Sequence, residues 1–511
     1  MEDKVIVTHA AALTTKYGTG GIGKIKKALA ALVAADKQRG IIGRVVYLDD
    51  AAAMKKLKAP ALASSKDVRG TKAAIDGVYA ALKPDYLMIL GSSDVVPHQD
   101  LRNPAFKAGD DDDRIAFGDL SYACDVPYAH DAAKFVGPTR VVGRLPDLTG
   151  AKEPSHLLAL LKTAKNWKGH PASTYTDYFG LSAEVWKGST SLSLDNVFGN
   201  QNGLNIAPPK GPKFSTGVLD GMMHFINCHG ARATPEFYGQ RGNSYPIALT
   251  TKSTAGKLAK GTVASVECCY GAELYNSVIL GIDSPICQSY LRQGAYGYLG
   301  STTIAYGPAY GNGAADLICQ YFLLAVLDGA SIGRAALTAR QQFVADAAQM
   351  DPIDLKTLAQ FCLYGDPSIH PVTKPVAASA PREAEAAKTS RFQRSERRAK
   401  LKHTGDFLQA TKPTASKPDV KHRTTAHAKA TLARIAAESG LGRDLPFVSY
   451  KVKGARQARG GAKKVASAPS RYYLAIRWRS GSKGGGSCYR VAVVAKEVSG
   501  RIVDYCVYDE R

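Results

Sequence analysis

Two apolar segments of the chain each end in a side chain that could take part in nucleophilic catalysis, closely followed by a glycine. The first, "MMHFINCHG", ends at His229 and Gly230, and the second, "GTVASVECCYG", ends at Cys268, Cys269 and Gly271. A thiol becomes a nucleophilic thiolate beside an imidazolium, and an imidazole can donate a proton to a leaving amine. The glycines leave backbone N–H groups accessible to an oxyanion. This combination predicts acyl transfer through a covalent thioester.

Only one of the two adjacent cysteines can face the histidine, because successive residues of a strand point to opposite faces. Cys269 lies two residues before Gly271, the Cys-x-Gly spacing of caspases, in which the histidine lies about 50 residues upstream. Here His229 lies 40 residues upstream of Cys269. We therefore predict Cys269 as the nucleophile and His229 as the proton donor, with Cys268 and Cys228 as buried packing residues. Taken singly, a cysteine or histidine is more often structural, and only their pairing on consecutive strands favours catalysis.

The elements that must position these residues alternate between strands and helices. Short β-branched runs recur through the first 370 residues, beginning with "KVIVTHA", "GRVVYLDD" and "DYLMILG", and a segment with helical spacing separates the first two. Near-continuous apolar strands are buried on both faces. We therefore predict an α/β fold with a mostly parallel sheet sandwiched by helices. Such sheets place ligands at the carboxyl ends of their strands, where His229 and Cys269 fall.

The composition changes at Pro371 and divides the chain into four predicted parts. We assign residues 1–140 to an N-terminal α/β subdomain and residues 141–371 to a catalytic α/β subdomain. Residues 372–442 are rich in Ala, Lys and Arg and nearly free of large apolar side chains, which predicts a basic flexible linker. Residues 443–511 contain alternating strand patterns, which predict a small β-rich module.

The net charge of +23 is concentrated in the C-terminal part of the chain. Residues 371–511 hold 30 Lys and Arg against 11 Asp and Glu, which accounts for +19 of it. This region favours binding to nucleic acid or another anionic partner, or regulation by cleavage of its basic segment "RFQRSERRAKLK". No run approaches the roughly 20 apolar residues of a membrane span. Without an export signal or metal-ligand spacing among the nine cysteines, the sequence predicts a cytoplasmic protein with reduced thiols.

A glycine-rich motif offers a different function. "GTGGIGK", Gly18–Lys24, matches the core of a phosphate-binding loop, and Asp49 and Asp50 resemble a ribose-binding acid at the end of the next strand. Ile25 stands where a phosphate loop needs Ser or Thr, and the first strand ends about eight residues too early. Nucleotide binding is therefore the weakest of the functions considered.

The acidic run Asp110–Asp113 offers hard oxygen ligands for calcium or a charge that would attract the basic tail. Runs of like charge more often form solvated loops, and we favour that interpretation. The predicted Cys–His chemistry requires no cofactor and no metal.

Several segments, in their order along the chain, resemble the gingipain-type cysteine peptidases of the caspase-like clan CD. They are "KPDYLMILGSSDVVP", "GDLSYACDV", "TRVVGRLP", "FINCHG", "VECCYG", "SPICQSYLRQGAYGYLGSTTIAYG" and "FCLYGDPSIHP". The resemblance runs from the first strand to about Pro371, roughly three quarters of the chain. It implies a caspase-like fold and an endopeptidase with a strict preference for the residue before the scissile bond.

The resemblance also implies roles for individual residues. It assigns proton donation to His229, nucleophilic attack to Cys269, and oxyanion binding to the backbone N–H groups of Gly230 and Cys269. Gingipains accept Arg or Lys against an acidic side chain, and the candidates for it here are Asp119, Asp125 and Asp131. The segment that resembles the substrate-flanking loop supplies further candidate substrate-binding residues: Ser301, Thr302, Thr303 and Tyr306.

The leading hypothesis is an intracellular caspase-like cysteine endopeptidase that acts on protein or peptide substrates and processes itself within the basic linker. The alternative keeps the fold without turnover, as a scaffold whose basic tail binds nucleic acid or an anionic partner. Both catalytic residues and their glycines are present, which favours the enzyme.

Overall fold

The computed structural model describes residues 2–347, 349–374, 414–419, 422–439, 441–453, 470–480 and 488–509. The chain divides into two compact units. One comprises Met1–Tyr275 with Ser284–Gly405, and the other comprises Asn276–Asp283 with Asp406–Arg511. Within the described ranges, no helix combines the length and the apolar character needed to cross a membrane.

The first unit alternates strands and helices along its whole length. Its described strands are β1 (Lys4–Thr8), β2 (Gly43–Tyr47), β3 (Tyr86–Leu90), β4 (Gln99–Arg102), β5 (Ile115–Gly118), β6 (Val142–Leu145), β7 (His170–Pro171), β8 (Tyr178–Ala183), β9 (Leu204–Ala207), β10 (Met223–Asn227), β11 (His229–Gly230), β12 (Glu236–Tyr238), β13 (Ile247–Thr250), β14 (Val263–Val266), β15 (Gly297–Ser301), β16 (Phe361–Tyr364) and β17 (Val372–Lys374).

The α-helices up to the end of this unit are α1 (Ala10–Gln38), α2 (Ala51–Lys56), α3 (Val68–Leu82), α4 (Ser155–Asn166), α5 (Ala172–Tyr175), α6 (Lys187–Phe198), α7 (Thr251–Thr254), α8 (Ser277–Leu280), α9 (Ile286–Arg292), α10 (Ala315–Leu327), α11 (Ile332–Ala345) and α12 (Pro352–Gln360). Short 3-10 turns occur at Leu120–Ala123, Ala132–Phe135 and Glu184–Trp186. Of these helices, α8 belongs to the second unit.

A ten-stranded sheet forms the centre of the first unit, in the order β2-β1-β3-β6-β16-β15-β14-β10-β8-β9. Neighbouring strands are parallel except for β15 and β16, which are antiparallel. The sheet therefore consists of two parallel halves that run in opposite directions and meet at that pair. Every residue of β1, β10 and β14 is buried, as expected of strands covered by helices on both faces. This architecture confirms the predicted α/β class.

The strands that precede the two reactive segments are direct neighbours. β10 and β14 pair in parallel with Met223 opposite Val263 and Ile226 opposite Val266. Because the two strands run in the same direction and end level with each other, the residues that follow them leave the sheet at one edge. The fold thus brings His229 to the same sheet edge as the two cysteines.

The glycine-rich motif Gly18–Lys24 is not a loop. It lies inside α1, which continues through a kink at Gly18, where φ is +67°. Asp49, a candidate ribose ligand, instead accepts hydrogen bonds of 2.8 and 2.7 Å from the amides of Ala10 and Ala11 at the start of α1. Asp50 caps α2 through the amide of Ala53 at 3.0 Å. The nucleotide-binding hypothesis is therefore wrong in its structural premise, because both acids cap helices.

The second unit is built on a five-stranded antiparallel sheet in the order β18-β19-β20-β21-β22, with strands Thr414–Pro418, Val448–Lys453, Ser470–Ser480, Cys488–Val498 and Arg501–Asp509. This sheet confirms the predicted β-rich module. Helix α13 (Ala426–Glu438) packs against β21 and β22 and buries Leu432 and Ile435. These side chains recur at helical spacing among alanines, so part of the range predicted as linker folds with the module. The basic segment 391–402 lies outside the described residues.

Candidate active site

The backbone of Gly230 lies directly against the backbone of Cys269. A Cβ atom at position 230 would lie 1.8 Å from the carbonyl oxygen of Cys269, far inside any van der Waals contact. Only glycine allows this approach. His229 and Gly230 form the short strand β11, which pairs with β12 so that His229 lies opposite Tyr238. The structure therefore brings together the two segments that the sequence paired.

Cys269 lies at the start of a tight turn. The residue after it, Tyr270, has a left-handed backbone conformation with a φ of +56°. This conformation is rare for a side chain of this size, and strained residues of this kind cluster at functional sites. The amide of Gly271 donates to the carbonyl of Cys268 at 3.0 Å and closes the turn. The Cys269 side chain is 4% exposed, and its sulfur accepts a hydrogen bond of 3.4 Å from the amide of Ala305.

His229 is enclosed by aromatic side chains and a buried amide. The centre of its ring lies 4.2 Å from that of Trp186 and 5.4 Å from that of Tyr245. Its Nε2 atom lies 2.7 Å from Oε1 of Gln240, a side chain that is also buried. These contacts hold the imidazole in one orientation at the edge of the sheet.

The neighbouring cysteines sit in a different environment. Cys268 is fully buried, and its sulfur accepts a hydrogen bond of 3.4 Å from the amide of Cys228. Burial raises the pKa of Cys268 well above its ordinary value, with the Cys228 thiol as a further contribution. A thiol in such surroundings remains protonated at neutral pH and is inert as a nucleophile. Cys228 is buried as well.

The segment from Ser301 to Tyr306 runs beside the nucleophile. The amide of Tyr270 donates to the carbonyl of Thr303 at 2.9 Å, and the amide of Ala272 donates to that of Ser301 at 2.8 Å. The candidate substrate-binding side chains of this segment are buried and hydrogen-bonded within the protein. The partners are the Thr303 carbonyl for Ser301, the Phe117 carbonyl for Thr302, Gln360 for Thr303 and Asp111 for Tyr306. The segment therefore places its backbone next to Cys269, and Tyr306 lies near enough that the Cys269 thiol adds to burial and Asp111 in raising the pKa of its hydroxyl.

The three candidate specificity acids have partners in the N-terminal half of the chain. Arg144 binds both oxygens of the buried Asp119, at 2.8 and 2.6 Å. Burial would raise the pKa of Asp119, but the Arg144 guanidinium outweighs it and holds that pKa below its ordinary value.

The other two candidate acids are engaged in the same region. Asp125 pairs with Arg140 at 2.6 Å, and Asp131 caps a 3-10 turn through the amide of Ala133 at 3.0 Å. Among the described residues, the contacts of the three acids do not include Cys269 or His229.

The acidic run contains the carboxylates that do reach the site, which sequence reasoning missed. Asp113 accepts hydrogen bonds of 2.8 Å from the Tyr270 hydroxyl and from the amide of Ile304. Asp111 is buried and pairs with Lys356 at 2.6 Å. The solvated-loop interpretation of this run is therefore wrong for these two residues. Their partner Lys356 lies 245 residues beyond Asp111 in the sequence, and no local sequence pattern predicts a pairing over that separation.

A second cysteine and histidine also lie close together, at a place unsuited to catalysis. Donor atoms of His98, Asp119 and Cys362 lie within 4.8 Å of one another, and all three side chains are buried. Burial lowers the pKa of His98 to about 4 and raises that of Cys362 to about 12, so both groups are neutral at pH 7. Arg144 already supplies the positive charge at Asp119. The thiol of this cluster is therefore protonated at neutral pH, which is unsuited to nucleophilic attack.

Comparisons with known proteins locate distant structural neighbours. No protein-family model and no curated protein matches the chain. A solved structure described as a protease is 14% identical, with a TM-score of 0.46, and the match covers 99% of this chain and 96% of that one. The complex of the pro- and mature domains of Porphyromonas gingivalis RgpB is 11% identical, with a TM-score of 0.47, and the match covers 99% of both chains. Likenesses this remote say nothing about activity, which must be inferred from the residues themselves.

Proposed function

We propose that the chain is a caspase-like cysteine endopeptidase with Cys269 as nucleophile and His229 as its acid–base partner. The observation that carries this proposal is the contact between the Gly230 and Cys269 backbones, at the level ends of two parallel strands. That contact supports a Cys–His pair at one sheet edge. The inert environment of Cys268 favours Cys269 as the reactive thiol.

The proposed reaction has two steps. The Cys269 thiol gives its proton to His229, its sulfur attacks the carbonyl carbon of the scissile bond, the C–N bond breaks, and the amine leaves with that proton from His229. The acyl group remains on the sulfur as a thioester. Water then attacks the thioester carbonyl while His229 takes up its proton, and the sulfur leaves as a thiolate. We assign binding of the developing oxyanion to the backbone N–H groups of Gly230 and Cys269. The two backbones can approach each other because position 230 carries no Cβ.

The proposed enzyme cleaves after a specific residue, and Arg and Lys are the first to test. Arg144 and Arg140 compensate the charges of Asp119 and Asp125, so these acids can favour a basic substrate only if those pairs open. The Asp131 carboxylate instead has a backbone amide as its partner. A panel of fluorogenic peptides that differ only in the residue before the bond (Arg, Lys, Asp, Asn or Leu) would determine the preference.

The proposal is tested by repeating that hydrolysis with active-site variants. Cys269→Ala and His229→Ala should each abolish cleavage of the preferred peptide, while the matched control Cys268→Ala should retain it. Alkylation of the thiolate by an electrophilic peptide of the preferred sequence, detected as a mass increase on Cys269, would identify the nucleophile directly. Cleavage that survives Cys269→Ala would overturn the proposal.

Regulation by self-processing within residues 372–442 is a further part of the proposal. The "RFQRSERRAKLK" segment offers basic residues at which an Arg- or Lys-specific enzyme would cut. Prolonged incubation of the wild-type chain should yield fragments that end in this segment, and Cys269→Ala should remain intact. The cytoplasmic location stays a prediction.

The burial of the site favours one alternative function. Cys269 is 4% exposed and His229 is fully buried, so a peptide reaches the pair only after the surrounding segments move. A silent scaffold would keep the site closed permanently. In that case no peptide of the panel would be cleaved, the electrophilic peptides would leave Cys269 unmodified, and binding of the C-terminal region to nucleic acid or an anionic partner would be the activity to measure.

A further inference from the structure

We infer that Gln240 is a positioning residue that determines which nitrogen of His229 carries the proton. This inference deepens the proposed function and rests on it, because it concerns the same histidine. Gln240 is 3% exposed, and its Oε1 atom lies 2.7 Å from His229 Nε2. It follows β12, the strand that pairs with β11 and thus with His229 itself.

The orientation of the Gln240 amide follows from its other end. Its Nε2 atom donates a 2.9 Å hydrogen bond to the carbonyl of Gly242 and a longer one, of 3.5 Å, to the hydroxyl of Tyr245. A carbonyl can only accept a hydrogen bond, so the NH₂ end of the amide must face Gly242. The Oε1 end therefore faces His229.

The backbone of Gln240 is held as firmly as its side chain. Its amide donates to the carbonyl of Ala207 at 3.1 Å, and the preceding amide of Gly239 donates to that of Pro246 at 2.8 Å. A Cβ at position 239 would lie 2.2 Å from the Ala207 oxygen, so the chain can approach that carbonyl only through glycine. These contacts fix where the side-chain oxygen meets the imidazole.

The consequence for His229 follows from hydrogen-bond chemistry. An amide oxygen accepts and cannot donate, so the ring nitrogen that faces it must be the one that bears hydrogen. In the neutral ring that nitrogen is Nε2, and the lone pair is on Nδ1. Nδ1 is then the atom that takes the proton of the Cys269 thiol and later delivers it to the leaving amine, while the Nε2 proton stays in place.

A neutral partner has an electrostatic consequence as well. A carboxylate at this distance would favour the imidazolium and raise the pKa of His229, whereas an amide oxygen orients the ring without adding charge. The walls formed by Trp186 and Tyr245 leave the ring little room to flip. Gln240 thus holds the ring in one tautomer without adding a negative charge beside it.

The first experiment reads the tautomer directly and does not depend on turnover. Full-length Cys269→Ala protein labelled with ¹⁵N-histidine would be examined by long-range ¹H–¹⁵N NMR, with the signal of His229 identified from its loss in a His229→Ala variant. We expect a protonated Nε2 and an unprotonated Nδ1 in the neutral ring. A protonated Nδ1 would overturn the inference, whatever the enzyme does.

The second experiment compares substitutions in the active chain. Gln240→Leu removes the acceptor and should lower kcat/KM by roughly tenfold to a hundredfold, the effect of one buried hydrogen bond. Gln240→Glu restores an acceptor with a charge, and should recover activity while shifting the pH limb that belongs to His229 upward by about one unit or more. The matched control is Gln99→Leu, which removes a buried amide that donates to Tyr122 at 2.8 Å.

The outcomes separate the two proposals. Gln99→Leu should lower thermal stability without changing the pH profile or the His229 signals. If Gln240→Leu and Gln99→Leu behave alike in both readouts, Gln240 is merely structural and the inference fails. If the NMR experiment shows the Nε2–H tautomer and its loss in Gln240→Leu but no peptide is cleaved, Gln240 does position His229 and the proposed peptidase activity fails instead.

Discussion

The hydroxyl of Tyr270 donates a 2.8 Å hydrogen bond to Asp113, which lies 157 residues earlier in the chain. The second oxygen of the same carboxylate accepts from the amide of Ile304. One side chain thus ties the residue after the proposed nucleophile to the segment that runs beside it. The left-handed backbone at Tyr270 needs such restraint, because a conformation of this kind persists only where its surroundings over-determine it.

Asp113→Ala should therefore impair both stability and catalysis. It leaves the Tyr270 hydroxyl and the Ile304 amide without their acceptor, which we expect to lower the free energy of unfolding by about 1–3 kcal/mol. Release of the turn should also lower kcat/KM at least about tenfold. Denaturant unfolding and peptide hydrolysis measure the two effects. Asp110→Ala is the matched control, because this carboxylate pairs with Lys107 at the exposed surface, and it should change stability by less than about 0.5 kcal/mol.

Gly230→Ala should abolish activity. The added methyl group would have to occupy space 1.8 Å from the carbonyl oxygen of Cys269, so the two strand ends must separate and the proposed pair must lose its geometry. Gly23→Ala is the opposite case, since a Cβ at this position of α1 meets nothing within 4 Å. It should raise the free energy of unfolding by about 0.5–1 kcal/mol and leave kcat/KM unchanged. An active Gly230→Ala enzyme would contradict the proposed site.

Alkylation should distinguish the two adjacent thiols. Iodoacetamide at neutral pH, followed by peptide mapping, should modify Cys269 faster than Cys268, because burial holds the pKa of Cys268 well above its ordinary value. A preferred-substrate peptide should protect Cys269 and leave the labelling of the partly exposed Cys506 unchanged. Preferential modification of Cys268 would reverse the assignment.

The stability of the protein should fall on acidification partly because of His98. Burial lowers the pKa of this histidine to about 4, against 6.5 for its ordinary value. The unfolded chain therefore binds the proton first, so the contribution of His98 is complete above pH 6.5 and is lost as the pH falls from there towards 4. Between pH 7 and pH 5 the loss should be about 2 kcal/mol.

His98→Phe removes this titration and keeps an aromatic ring against Tyr364, on which His98 stacks. Urea unfolding at pH 7 and pH 5 should therefore show a smaller loss of stability in the variant than in the wild type, by about that amount. Equal losses in the two proteins would show that His98 is not the group responsible.

The sequence predicts those parts of the fold that depend on local pattern. The alternation of apolar runs and helical segments predicts the class of fold. The positions of His229 and Cys269 after two apolar strands predict that both residues lie at the carboxyl ends of the strands, on the same side of the sheet. The reversal between the two halves of the sheet is not visible, because a short strand such as β16 carries no sign of its direction. The helix α13 is not predicted, because large apolar residues are scarce in its sequence. Two of them, Leu432 and Ile435, are enough to hold the helix against the sheet when small alanines surround them.

The missed parts of the site all depend on contacts between distant residues. Asp113 stands in a run that resembles a solvated loop, and its partners come from segments 157 and 191 residues away. Gln240 is only 11 residues from His229, but the bend that returns it to the ring depends on the Gly239–Ala207 contact. Side-chain types indicate possible chemistry, whereas these partners are chosen by the tertiary structure.

The C-terminal unit cannot be removed by a single cut in the gene. Its residues include Asn276–Asp283, a segment that begins only seven positions after Cys269. Asn276 donates a 3.2 Å hydrogen bond to Glu438 on α13. A chain shortened before residue 406 would keep this segment and lose the surface on which it folds. Low activity in such a truncated chain would therefore not identify the C-terminal region as an activator, unless adding that region back as a separate polypeptide restored the lost rate.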